Sequence, residues 1–289
     1  MENGKDQIPY LIELLDDDSE QNVCHAMAAL LKSDEASLDR CLCALQESEN
    51  PRLRRRVHQL ESAIRARRQR TQLGTRLKRS AIGLYDGVVQ LHLLWFDNDL
   101  VEHVQNQWDE LCLKFRSFCR QRPTLRAVAD FLAKEEFHAP LNDDIAADFY
   151  CFGVVIDDHN GADVLLSVVA AELLRSAGVE ASVVRSIDDF GVMDRAGNLL
   201  FPGLDFQYHA HRIFEGSPPE LVVLDDIQVL RYIASILMLC AVACDSFRYV
   251  YTISNALSAF TDVHGNDGRT TILPYPYNNQ KDPPSGSAI

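Results

Sequence analysis

Gly161-Ala-Asp-Val-Leu-Leu-Ser-Val-Val-Ala-Ala-Glu-Leu-Leu-Arg-Ser-Ala-Gly-Val-Glu-Ala181 is the stretch that decides the fold. A helix is expected to start at Asp163, after the polar run Asp157-Asp-His-Asn160. Beyond it, Ser182 to Arg185 reads as a strand. Phe190 to Met193 and Leu199 to Phe201 flank an Asp194-Arg-Ala-Gly-Asn198 turn, the pattern of an antiparallel hairpin. Strands that gather after helices indicate a mostly helical α+β chain with a small antiparallel sheet.

Working outward toward the N-terminus, the apolar pattern repeats at an offset of 30 residues: Leu11, Leu15, Val23, Met27 and Leu30 match Cys41, Leu45, Leu53, Val57 and Leu60. A period of this length points to stacked helical hairpins. Asp17, Asp18 and Ser19 supply turn and cap chemistry in the first unit, and Glu49, Asn50 and Pro51 in the second. The pair resembles HEAT-like repeats, here over residues 1–70. An arginine-rich helix ends the region near Arg70, with Gly74 expected to interrupt it. Between 75 and 131, Ile82, Tyr85, Val89 and Leu93, then Trp108, Leu111, Phe115 and Phe118, recur at helical spacing as core stripes. Trp95 and Trp108 read as packing anchors. Another helix is expected over 125–137.

Toward the C-terminus, two helices are expected at 227–243 and 246–261, the first capped by Asp226. Composition predicts a disordered tail over 263–289, where Pro274, Pro276, Pro283 and Pro284 lie among Asn, Gln, Gly and Ser.

The 289 residues, 47% of them apolar, are enough to bury a sizeable core. The first 20 residues are acidic and polar where a secretory leader needs a basic start and an apolar centre, and no run of about 18 apolar residues occurs. A cytoplasmic chain without membrane contact is the expectation. The eight cysteines show no Cys-x-x-Cys spacing and read as reduced, buried thiols. A net charge of -14 disfavours nucleic acid. Residues 52–79 run against it, with 11 of the 28 Lys and Arg residues and the single acid Glu61.

The opening stretch resembles the papain-like core of bacterial transglutaminase-like proteins. That superfamily places Gly-x-Cys at a loop-to-helix junction, followed by Leu-Leu-Arg-x-x-Gly-x-x-Ala. Gly161, Leu173, Leu174, Arg175, Gly178 and Ala181 fit this spacing, with Asp163 at the cysteine position. Leu166 and Ser167 further resemble a Leu-Ser pair of the SirB-family branch. Ile187-Asp188-Asp189-Phe190 stands where that branch has Pro-Gly-His-Phe, which puts Asp189 at the histidine position. Asp205 corresponds to the third catalytic aspartate. The resemblance implies a transglutaminase-like domain over 75–262.

Thiol acyl transfer needs a nucleophile with a lowered pKa and a neighbouring imidazole. Asp163 supplies no thiol and Asp189 no imidazole, so no catalytic residue is assigned. Asp163 at a helix start also serves simply as a cap. A metal site built from Asp157, Asp158, His159, Asp163, Asp188 and Asp189, or from His209 and His211 on one strand face, competes with solvated loop carboxylates. No recognised metal spacing supports it, and neither metal nor cofactor is expected. Arg52, Arg54, Arg55, Arg56, Arg65 and Arg68 are the binding candidates, since the guanidinium fork suits carboxylates. Their alternative is to pair with the chain's own acids. With no aromatic residue between Arg52 and Leu84 to stack on a base, an acidic protein is the expected partner. The expected function is a protein-binding or regulatory module. Alternatives are a hydrolase or transferase that uses Cys151 or an imported histidine, and a ligand sensor built on the former cleft.

Overall fold

The computed structural model describes residues 7–33, 38, 42, 45, 48–78, 82–119, 122–140, 145–187, 189–210 and 221–261, with the side chains of Arg65 and Arg70 outside that description. The tail over 263–289, Asp188 and His211 also lie outside the described residues. The chain divides into two compact units, Met1–Thr71 and Gln72–Ile289.

In the first unit, α1 (Ile8–Glu13) runs into a short 3-10 turn (Leu14–Asp16), followed by α2 (Glu20–Leu30) and the start of α3 (Pro51–Lys78). Ser19 caps α2, accepting from the amide of Asn22. Asn50 Oδ1 accepts from the amides of Arg52 and Leu53 at 3.0 and 3.3 Å, with Pro51 just behind it. Both caps satisfy amides that a helix start leaves unpaired. The unit's core gathers Ile8, Leu15, Ala26, Leu30, Leu38, Leu42, Val57, Leu60 and Ile64, with Leu11, Met27, Leu45 and Leu53 packed against it. Most positions of the 30-residue pattern are thus in one core; Cys41 lies outside the described residues. Gly74 does not interrupt α3, which continues to Lys78. A mid-helix glycine costs only about 1 kcal/mol. Burial of Leu73 and the ion pair of Arg76 with Asp86 favour the turn around it.

The second unit is built around one helix. α4 (Leu84–Trp95), α5 (Val101–Phe118), α6 (Leu125–Lys134) and α7 (Phe152–Asp158) precede α8 (Asp163–Ser176). Every α8 residue from Val164 to Leu174 except Glu172 is buried. It packs on strands and helices alike: β1, β2, α4, α5, α6, α7 and α9. That explains why the apolar run of the opening stretch has no polar face.

The sheet has five strands, β1 (Ala181–Arg185), β2 (Phe190–Asp194), β3 (Leu199–Phe201), β4 (Gln207–His209) and β5 (Val222–Val223), in the order β4-β3-β2-β1-β5. All neighbours are antiparallel. Register sets Val183 opposite Val192 and Val192 opposite Leu200. Ala181, Val183, Phe190, Val192, Leu200 and Tyr208 accordingly join the main core with α8, while Val184, Met193, Leu199 and Phe201 form a second cluster on the other face. Gly191 leaves room for a hydrogen only, since a Cβ would come within 2.7 Å of the Leu200 carbonyl.

A helical hairpin closes the unit, α9 (Asp226–Ala243) and α10 (Phe247–Thr261). Asp225, not Asp226, caps α9, in a reciprocal box with Gln228. α9 is long and apolar enough to cross a membrane by length and composition, and half of it is buried against this core. Trp95 stacks on Tyr249 with ring centres 4.2 Å apart, and Trp108 on Tyr85 at 5.4 Å. Both tryptophans are anchors, as expected.

Candidate functional site

Asp163 stands at the first turn of α8, where the opening stretch placed it. It does not cap its helix in the usual sense, because Ala162 holds the cap position without a side-chain bond. Instead Oδ1 accepts from the amide of Val164 at 2.6 Å, and Oδ2 accepts from the amide of Phe190 at 2.9 Å. The second bond crosses to the first residue of β2. It ties the helix start to the sheet, a role that the expectation of simple capping did not contain.

Three segments meet here. Phe190 brings Asp189 with it, and the Asp189 carboxylate acts on Asp163 as a like charge. The turn between β3 and β4 closes from another side: a Cβ on Gly203 would sit 2.9 Å from Asp163 Cβ, so only glycine allows this approach. Within that turn Asp205 and Phe206 both take left-handed backbone, with φ of 48° and 56°. Phe206 is buried and Asp205 exposed. The fold therefore brings together the segments of all three compared positions, and Asp163 and Asp189 as interacting side chains. Asp205 is not among the leading groups that act on Asp163.

Burial is the leading cause of an upward pKa shift at Asp163, opposed by the amides of Phe190 and Val164, raised further by Asp189 and lowered by Arg185. Arg185 is a residue that the sequence did not single out. Its guanidinium lies 5.4 Å from the ring centre of Phe190 and 5.6 Å from that of Tyr232. Asp189 is held through its backbone: its amide donates to Ser186 Oγ at 3.1 Å, and its carbonyl accepts from the Ser186 amide at 2.8 Å. Among the described residues, the hydrogen bonds of Asp163 are to backbone amides, and none is to a sulfur or an imidazole.

The other chemical candidates lie elsewhere. Cys151 is fully buried, and burial pushes its thiol well above the ordinary range. Such a thiol is a poor nucleophile. His159 stacks on Phe137, ring centres 4.2 Å apart, with Nδ1 2.5 Å from the carbonyl oxygen of Glu135. Asp157 accepts from Gln107 Nε2. His92 is buried with Nε2 3.0 Å from Asp99, and its ring lies so close to Gly153 that no side chain fits there. Among the described residues, no group of three or more His, Cys, Asp or Glu is placed to hold a metal ion.

The arginines divide by role. Arg56 is buried and donates to the carbonyls of Leu15 and Asp17 at 2.7 and 2.9 Å and to Glu20 at 2.8 Å. It is a structural clamp between α3 and the α1–α2 turn, which corrects its assignment to a binding face. Arg52 pairs with Asp18 at 2.5 Å, and Arg67 donates to the carbonyl of Leu31. The carboxylate and backbone carbonyl acceptors of Arg52 and Arg56 show that these two satisfy their charge locally. Arg68 is half-buried and engaged within the protein. Arg54 and Arg55 are exposed and make no ion pair among the described residues. Arg55 lines a cleft of about 360 Å3 with Asp18, Glu20, Arg52, Arg56 and Gln59. No family model, no characterised protein sequence and no solved structure matches this chain.

Proposed function

We propose that the second unit is a transglutaminase-like core of SirB type that has kept its scaffold and lost its reaction, and that the protein works as a protein-binding or regulatory module. The observation that carries this reading is the pair of backbone amides on Asp163. A carboxylate whose two oxygens are each taken up by the chain's own N–H groups serves the fold and is not poised to attack a carbonyl. Arg185 rather than an imidazole is the cationic group that acts on it.

The first unit, read as a pair of HEAT-like repeats, supplies the partner surface. Stacked helical hairpins offer extended faces for protein contact. Arg54 and Arg55 are exposed on it and make no ion pair among the described residues, and they suit an acidic protein segment better than nucleic acid. The test is quantitative capture from native extract with the Arg54→Glu/Arg55→Glu double variant beside the unaltered protein. The reading expects a stoichiometric partner whose retention falls at least about tenfold in the variant and weakens with salt. Retention that is indifferent to both changes would overturn the assignment of this face. Amide hydrolysis or transfer by the purified chain that either Asp163→Asn or Cys151→Ala abolishes would overturn the loss of reaction.

A further inference from the structure

At the end of α8 opposite Asp163, the helix's last turn and the β1–β2 hairpin line an open cleft of about 490 Å3. Arg175, Glu180, Ser182, Met193, Asp194 and Arg195 line it, together with Ala181 and Gly197. Two cations and two carboxylates face one space. The formal charge of the lining sums to zero.

Accounting for each polar group separates those that are spent from those that remain. Arg175 Nε donates to the Ala181 carbonyl at 2.9 Å, and Nη1 donates to Glu172 at 2.8 Å and to Asp226 at 3.0 Å. Three bonds fix the guanidinium plane, and Nη2 has no partner among the described residues. Glu172 and Asp226 together outweigh the single charge of Arg175, so Nη2 offers a hydrogen-bond donor rather than net positive charge, and Arg195 is the lining cation left for a carboxylate. Ser182 Oγ makes no bond among the described residues, and register sets Ser182 opposite Met193. Asp194 Oδ1 accepts from the amides of Ala196 and Asn198, and Oδ2 accepts from Asn198 Nδ2 at 2.7 Å. Glu180 and Arg195 meet only at 3.8 Å, and both side chains are mostly exposed.

We propose that this cleft binds a small zwitterion of the α-amino acid type. The carboxylate of such a ligand takes the free Nη2 of Arg175 and the Ser182 hydroxyl, with Arg195 beside it. Its ammonium takes Glu180, and its side chain lies over Met193. Preorganised donors make the head-group contact inexpensive in conformational entropy, because Arg175 is already ordered by its three internal bonds. Arg195 and Glu180, one charge of each sign and only loosely paired, then discriminate by requiring both charges on one molecule. The site is independent of the Asp163 region and of the arginine face.

The experiment is a titration of the full chain, followed through amide resonances by NMR, with glycine, L-leucine, L-methionine and L-phenylalanine in turn. N-acetyl-L-methionine, which lacks the ammonium, and L-methioninamide, which lacks the carboxylate, serve as controls. The expected result is a saturable shift at Ser182, Met193 and Arg195 with at least one free amino acid. Both methionine controls should then bind at least about tenfold more weakly than L-methionine wherever the latter binds. Ser182→Ala and Glu180→Gln, both at positions that hold no core contact, should each weaken binding several-fold. Absence of a saturable shift with all four amino acids overturns the proposal. So does equal binding of either control, or binding that is unchanged in both variants.

Discussion

At the scale of single residues, Asp163 carries the most weight. Its place at a helix start is written in the local sequence, because a polar residue precedes a long apolar run. Its partner is not, since the amide of Phe190 lies 27 residues away and a backbone N–H leaves no mark in residue identity. Arg56 teaches the same lesson, for two of its three acceptors are carbonyls. Asp163→Ala leaves the amides of Val164 and Phe190 without their acceptor at a largely buried junction. The expected cost is about 1–3 kcal/mol, read as a lower midpoint in urea unfolding. Asp163→Cys should cost a similar amount, because a thiol accepts hydrogen bonds weakly. An unchanged midpoint in both variants would remove the tie between α8 and β2 from the account.

At the scale of elements, long periodic segments were legible and short ones were not. The two C-terminal helices, the strand β1, the hairpin of β2 and β3 and the cap chemistry at Ser19 and Asn50 all stand where apolar period and turn residues place them. β4 and β5, with three and two residues, are too brief to carry an alternation, and pairing with β3 and β1 is what makes them strands. The cap of α9 falls on Asp225 because Gln228 is three residues on and returns the bond, which leaves Asp226 to hold the amide of Leu84 and Arg175. In the first unit, Arg56→Met keeps the bulk of the side chain and removes its donors. Two carbonyls then lose a buried partner, with an expected loss of about 1–3 kcal/mol. Amide exchange should quicken across Leu15–Glu20 while the exchange of α8 is unaffected. Equal acceleration in both places would show a different kind of coupling.

At the scale of the whole molecule, the thiols give a test of the rival enzymatic reading. Cys24 and Cys244 are exposed, which corrects the expectation of burial for these two, whereas Cys112, Cys151 and Cys240 are buried. Burial pushes the thiol of Cys240 up to about 11 and that of Cys151 well above its ordinary range. Alkylation of the native chain near neutral pH, mapped by mass spectrometry, should mark Cys24 and Cys244 first. Cys151 should react only when denaturant opens the core. Preferential labelling of Cys151 in the native state would restore a nucleophile and with it the hydrolase or transferase alternative. The α+β class was legible because helices and strands segregate along the chain, whereas the cleft between α8 and the hairpin was not, since it depends on how the last turn of one helix meets two strands.

The strand β5 has one further consequence. Its two residues, Val222 and Val223, are each more than half exposed, and among the described residues β1 is its only neighbour in the sheet. An apolar rim of this kind is where a second chain would begin to zip on when copies crowd together. Two residues offer such an intruder very few backbone bonds, so brevity itself guards this border against fibrous growth.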